Sequence, residues 1–416
     1  MNDAEQADSP LHGLIRGKVP FVVPSFPRKT VFGRVRFEVL EAKDRLRVIT
    51  SPVQIDTREP ALPISTPPGY AAELEAGYGA FKTTGWMEET FQLNDRSISE
   101  ERFLKDVLLD MDRDRAILLG EMARGGKCVF HVFTQTDRAS HCFFWRRDKH
   151  HPAYDESAAS RLVDPLGDVY RRMDAIVGEV AARLLPDDLL LVVSDHGFQS
   201  WRRGFNVNQW LLENGYLFAS DAGEKRLDQF FGDRLTIEVD WSRTRAYALG
   251  LGQVYLNVKG REPEGIVDGK DADALADEIA RKLLAFRDTD AAAPLEKVYR
   301  LKDLYHGPEV AHAAELQLAF AKNYRVSWQT ALLGGMRAGG PVVEDNTFAW
   351  SGDHCSTLRD LVPGILLVNH ALPAAPPQRP YNIKDVAATV LRHFHVDTSD
   401  LDATPLPVEG SATGPR

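Results

Sequence analysis

Residues 189–201 read LLLVVSDHGFQSW: five aliphatic residues run into Ser194, Asp195 and His196, then stop at a glycine. A short continuous apolar run closed by a turn signal is the pattern of a strand buried on both faces. Polar chemistry at its C-terminal end is where open α/β sheets present their ligands. Upstream, a mixed-charge stretch from about Ala158 to Leu185 has helical spacing and closes on PDD, and CVFHVFT at 128–134 reads as an earlier buried strand. Strand, helix, strand is the parallel crossover unit, so the expected fold is α/β with a mostly parallel sheet.

Working outward, residues 99–124 repeat apolar positions at helical spacing, starting near Glu100 to Arg102 and stopping at Gly125 and Gly126. Residues 30–55 alternate apolar and polar positions around a break at Ala42 to Asp44, the period of an antiparallel β ribbon. The proline-rich REPALPISTPPGY that follows cannot continue a sheet or a helix and reads as an extended connector. Residues 247–267 are strand-like and 271–286 helical, within a segment of irregular character. The expected organisation is a ribbon and connector over 1–70, a core over 71–220, an insertion or cap over 221–345, the rest of the core over 346–395 and a flexible tail over 396–416. No internal repeat interrupts this order.

Composition bounds the function classes. The 416 residues are 44% hydrophobic, 26% charged and 9% aromatic, as in a soluble globular protein. A net charge of -10 argues against general affinity for nucleic acid or an anionic membrane. Three cysteines, Cys128, Cys142 and Cys355, are too few and too unevenly placed for a disulfide framework, and no CxxC pair points to structural zinc. The polar N-terminus has no signal-peptide character and no apolar run approaches membrane-spanning length, so a cytoplasmic protein is expected.

Three clusters hold candidate metal ligands. In FTQTDRASHCFFWRRDKHHP, Asp137 and His141 lie four apart, on one face of a helical turn. Asp195 and His196 form the second cluster, and WSGDHCSTLRD places Asp353 and His354 in the third. Carboxylates and imidazoles without thiolates suit zinc or manganese in a catalytic site. Taken singly, each cluster also reads as a cap or a surface turn; together, each beside a strand-like run, they point to a metal centre.

With those residues in place, the chain resembles the type I phosphodiesterase/nucleotide pyrophosphatase branch of the alkaline phosphatase superfamily. The likeness rests on D-x-x-x-H at Asp137 and His141, on VVSDHGF at Asp195 and His196, and on the late SGDH at His354. It implies a three-layer α/β/α core and two divalent metal ions, zinc or manganese, that clamp a phosphoryl group during in-line displacement. By resemblance Asp137, His141 and His354 hold one ion, leaving a position for substrate or water, and Asp195 and His196 belong to the second. The implied partner is a small phosphorylated substrate, with no nucleic acid and no membrane.

The chain departs from the pattern at its start. The resemblance calls for an early aspartate that completes the second metal site and a Thr or Ser nucleophile at a helix start, and no residue before Asp137 is assigned to either role. Asp56 and Thr57 are the nearest imitation, but they follow a ribbon and precede a proline. Cys355 in CSTLR approaches the sulfatase cysteine motif, with threonine where that motif wants proline or alanine. The nucleophile would then be water or a side chain from an N-terminal partner chain. A catalytically incomplete C-terminal fragment or split subunit is the alternative reading. A metal-dependent phosphoglycerate mutase shares the ligand pattern but needs the same early nucleophile. The basic run Arg146, Arg147, Lys149, His150 and His151 offers guanidinium groups to a phosphate, with a solvated loop as the alternative. Tyr324 and Arg325 in KNYRVSW are candidate cleft residues whose direction the sequence leaves open.

Overall fold

The computed structural model describes residues 12–21, 29–42, 44, 46–84, 88–227, 234–331, 333–334, 336–373 and 379–408. The chain divides into two compact units, one of residues 1–139 and 162–173, the other of residues 140–161 and 174–416.

The first unit opens with β1 (His12–Phe21), β2 (Lys29–Ala42), β3 (Leu46–Thr50) and β4 (Gln54–Ile55). They form one antiparallel sheet of order β1-β2-β3, with β4 also on β2. After the connector come α1 (Tyr70–Tyr78), α2 (Thr90–Asn94) and α3 (Glu100–Ala123). The start of α3 is set locally: the Ser99 hydroxyl accepts the Arg102 N–H, and Glu100 and Glu101 meet the positive end of the helix dipole. Phe103, Val107 and Met111, four apart, supply its fully buried stripe. Its other buried side is ionic. Asp106 takes Arg36 and Lys82, the latter at 2.9 Å, while Lys82 also meets Asp110.

Next in sequence are α4 (Gln135–Phe143), α5 (Glu156–Arg161) and α6 (Pro165–Ala181), and the division between the units falls within α4 and α6. The single helix expected from Ala158 to Leu185 is therefore two. Pro165 cannot continue a helix from α5, and Asp164 accepts the Gly167 N–H to start α6 (3.1 Å). CVFHVFT is corrected outright: residues 128–134 pair with no strand among the described residues, and Phe130 is 82% exposed.

The second unit continues with β5 (Leu191–Val193), β6 (Gln199–Ser200), β7 (Arg203–Phe205), α7 (Val207–Glu213), β8 (Ala219–Leu227) and β9 (Arg234–Val239). It then adds β10 (Ala246–Leu249), β11 (Gln253–Leu256), α8 (Gly269–Ala285), β12 (Leu295–Arg300), β13 (Leu316–Phe320) and β14 (Tyr324–Val326). α9 (Trp328–Ala331), β15 (Val343–Asp345), β16 (Gly352–Asp353), β17 (Leu366–Val368) and α10 (Ile383–His393) complete it.

These strands make several small sheets, of order β10-β11-β13-β12, β14-β7-β15, β16-β6, β17-β5 and β8-β9. The architecture is mixed α/β, and the expected mostly parallel sheet is replaced by mainly antiparallel pairing. Among the described residues β14 with β7 is the parallel pair of strands. The physical reason lies at 128–134: without an earlier strand, β5 has no crossover partner, and it pairs antiparallel with β17, Val193 facing Leu366. With one neighbour, β5 is half-buried instead of enclosed. The segment read as an insertion is interlocked with its surroundings, since β14 and β15 both pair with β7. One hydrophobic cluster joins Phe205, Trp210 and Leu211 to Leu256, Ile279, Leu318 and Val326. The expected flexible tail meets a packed segment as far as 408. Leu406 is buried and its N–H donates to Thr389 (2.8 Å), while 409–416 lie outside the described residues.

Candidate metal centre

α4 sets Asp137 and His141 one turn apart on the same face. His141 is 3% exposed, and its Nδ1 lies 2.7 Å from the Gly352 carbonyl oxygen. A carbonyl only accepts, so Nδ1 carries the proton and Nε2 the lone pair available to a cation. The segment around β16 is tied to α4 at the same point. The Ser351 N–H donates to the His141 carbonyl (2.7 Å), the Trp145 N–H donates to Ser351 Oγ (3.0 Å), and the Trp350 ring stacks on His141 at 3.7 Å. This contact needs Gly352, because a Cβ there would stand 2.4 Å from the Ser140 carbonyl oxygen.

His354 follows β16 directly and so arrives beside α4 although it is remote in sequence. Asp137, His141 and His354 each offer a ligand atom, and these atoms lie within 4.8 Å of one another. Burial lowers the His354 pKa against the opposing pull of Asp353, which keeps the ring neutral, the form that binds a metal. One carboxylate and two imidazoles, with one imidazole oriented by a backbone carbonyl, fit a divalent ion of the zinc or manganese type.

Asp195 and His196 reach the same place from β5. The His196 ring lies flat on His354, 3.6 Å between centroids and 6° between planes, while the Asp195 carboxylate is 75% exposed. Among the described residues no third carboxylate, imidazole or thiolate joins this pair in a ligand group. Close backbone packing places them: a Cβ on Gly197 would meet the Pro363 carbonyl oxygen at 2.4 Å, and the Gly197 N–H donates to Val362 (2.9 Å). A glycine after the histidine is thus required by a neighbouring chain segment.

Of the residues around this group, Phe198 carried no signal in the sequence, whereas Asp353 and Cys355 were named there and neither joins the ligand group among the described residues. Phe198 makes T-shaped contacts with His141, His196 and His354, with centroids at 4.8, 5.6 and 5.3 Å. Asp353 is buried. Burial alone would raise its pKa, but the Arg325 charge and then His141 outweigh that and hold the carboxyl well below its ordinary range. Burial pushes the Cys355 thiol up to about 12, so it stands as a small packed thiol and not a thiolate.

Most of the remaining candidates have partners outside this group. Arg146 donates to the Ala158 carbonyl (2.9 Å) and lies over the Trp145 ring, whereas Arg147 is exposed. His151 is buried, accepting the Ala153 N–H on Nδ1 (3.1 Å) and meeting the Trp201 carbonyl through Nε2 (2.8 Å). Tyr324 donates to Asp288 (2.9 Å). In the first unit, Asp56 and Thr57 are buried in a turn. Asp56 accepts the Arg58 and Glu59 N–H groups at 2.9 and 3.0 Å, and the Thr57 hydroxyl donates to Glu75.

Comparison with protein families agrees with this chemistry. The family model described as "Type I phosphodiesterase / nucleotide pyrophosphatase" matches residues 49–330, and the chain belongs to that family, within the alkaline phosphatase superfamily. The match takes in Asp137, His141, Asp195 and His196 and ends before His354. Comparison with curated proteins and with solved structures finds no match. The family indicates a phosphodiesterase- or nucleotide pyrophosphatase-like activity on small phosphorylated substrates and is typically metal-dependent. Among the described residues no helix is long and apolar enough to cross a membrane.

Proposed function

We propose that the chain is a cytoplasmic, metal-dependent phosphoric ester hydrolase. Asp137, His141 and His354 would hold one divalent ion, zinc or manganese, and Asp195 and His196 would contribute to a second. The convergence of the three donor atoms within 4.8 Å carries this reading. When bound, the metal supplies Lewis acidity toward a phosphoryl oxygen. The protein's part is positional. The Gly352 carbonyl fixes the His141 tautomer, Trp350 and Phe198 hold the imidazoles in an aromatic wall, and that wall keeps bulk water from one side of the site. Arg146 and Arg147, two and three residues beyond Phe144 at the start of the turn after α4, are the proposed phosphate contacts, and the 221–345 segment the proposed seat of substrate choice.

The test is hydrolysis of a chromogenic phosphodiester and of its monoester by the purified chain with added zinc or manganese, His354→Ala serving as control. Turnover that disappears in the variant supports the proposal. Equal turnover by both chains refutes the assignment of His354.

One observation favours a second reading, a catalytically incomplete fragment or split subunit that needs a partner chain for its nucleophile. Apolar residues that the sequence would bury are in solvent: Phe130 at 82% and Val132 at 61% in the first unit, and Ile365 at 53% and Leu367 at 56% in the second. This reading expects tight binding of one metal per chain with no turnover of either ester.

A further inference from the structure

Arg325 lies deep in the second unit, 3% exposed, at the middle of β14. Its guanidinium lies against two indoles, Trp201 and Trp328, 4.5 and 4.0 Å from the ring centroids, whose planes are tilted by 66° to each other. Its Nε meets Asp353 Oδ2 at 2.7 Å and its Nη1 donates to the Val326 carbonyl at 3.1 Å. Burying an ion pair is a poor source of stability, because desolvation offsets most of the attraction. What such a pair does supply is geometry.

That geometry converges on His354. The Asp353 carboxylate accepts the Trp350 indole N–H on Oδ2 (3.1 Å) and the Cys355 backbone N–H on Oδ1 (2.7 Å). One carboxylate thus clasps the residue after His354 and the residue four before it. Trp350 in turn stacks on His141, and Gly352, within the clasped loop, orients the His141 ring. Without the arginine, the Asp353 carboxylate loses the partner that fixes its Oδ2 and is left as an uncompensated buried charge that turns toward water. That turn releases at least one of its two grips on the loop.

We propose that Arg325 is a positioning residue for the metal centre: through Asp353 it locks the 350–355 loop so that His354 stands opposite His141. The proposal rests on the metal-centre reading above and adds a residue outside the proposed ligand set. Arg325→Met keeps an unbranched side chain against the two indoles and removes the charge. Arg325→Lys restores the charge without the planar fork.

The experiment is titration of the full chain with Co(II), which reads affinity from the rise of its visible absorption and coordination geometry from band position and intensity. Wild type, His354→Ala, Arg325→Met and Arg325→Lys are compared, with thermal unfolding run alongside. The expected result is a ten- to hundredfold loss of affinity and an altered band shape in Arg325→Met, with partial recovery in Arg325→Lys. Wild-type affinity and spectrum in Arg325→Met, alongside a loss in His354→Ala, would overturn the proposal alone. No binding by the wild-type chain would overturn the metal-centre reading and the proposal with it. Should Arg325→Met fail to unfold cooperatively, Asp353→Asn takes its place, with the same loss expected and unchanged binding overturning the idea.

Discussion

Gly352→Ala adds one methyl group where β16 meets α4. Its Cβ would fall 2.4 Å from the Ser140 carbonyl oxygen and 2.8 Å from Phe144 Cβ. The first obstacle is helix backbone and cannot swing aside. Ordinary contact begins near 3.4 Å, so β16 must retreat from α4 by roughly 1 Å. The His141 Nδ1 bond to the Gly352 carbonyl, now 2.7 Å, would open to about 3.6 Å, beyond hydrogen-bonding range. Losing that buried bond costs about 1–3 kcal/mol and the overpacking a further 1–3 kcal/mol or so. The expected destabilisation is about 2–6 kcal/mol, a large share of the 5–15 kcal/mol typical of a folded protein. Because His354 follows β16, zinc affinity should fall at least tenfold as well. Urea denaturation followed by tryptophan fluorescence gives the first quantity and calorimetric zinc titration the second. A variant within about 0.5 kcal/mol of wild type and with the same zinc affinity would show that the packing at Gly352 is not what holds His141 and His354 together.

Three other outcomes follow from the same geometry. His354→Ala should abolish most tight metal binding, whereas His196→Ala should change it little, because Asp195 and His196 gather no third ligand among the described residues; equal losses in calorimetric titration would contradict this. Burial pushes Glu89 and Asp110 up to about 7 each, from ordinary values of 4.5 and 3.8, with Asp106 as a common neighbour. Between those values and about 7 the folded chain keeps protons that the unfolded chain has released, so these two groups make stability fall as pH rises from 5 to 8, against His131, His151 and His354, whose pKa values burial lowers and which act the other way below 6.5. The lowered pKa of Asp106 acts only below its ordinary value of 3.8, outside that window. Urea midpoints of wild type and Asp110→Asn at pH 5 and 8 isolate one of the two groups: the variant should lose stability less steeply, or gain it more steeply, than wild type between them, and an unchanged or opposite difference would refute the reasoning. Phe130→Ser should cost less than about 1 kcal/mol, since the ring is 82% exposed, and a larger loss in thermal unfolding would show that the ring is covered in solution.

What the sequence determined by itself was local. The start of α3 at Ser99, the shared helical face of Asp137 and His141 and the turn after Leu191–Val193 each depend on residues within a few positions of one another. Family membership was legible for the same reason, because its motifs are short runs around those residues. Pairing was not legible. CVFHVFT and LLLVV carry the same apolar signal, yet one pairs with no strand among the described residues and the other takes Leu366–Val368 as its partner from the far end of the chain. An apolar run records that burial would be favourable, and only a neighbouring strand can supply it. The metal centre divides along the same line. Asp137 and His141 were joined by helical periodicity, but the approach of His354 needs Gly352 against Ser140, and the burial of Arg325 beside Asp353 needs Trp201 and Trp328. Apart from Arg325 and Trp328, three positions apart, those contacts join residues some thirty to more than two hundred positions apart, and sequence spacing holds no record of them until the chain has folded.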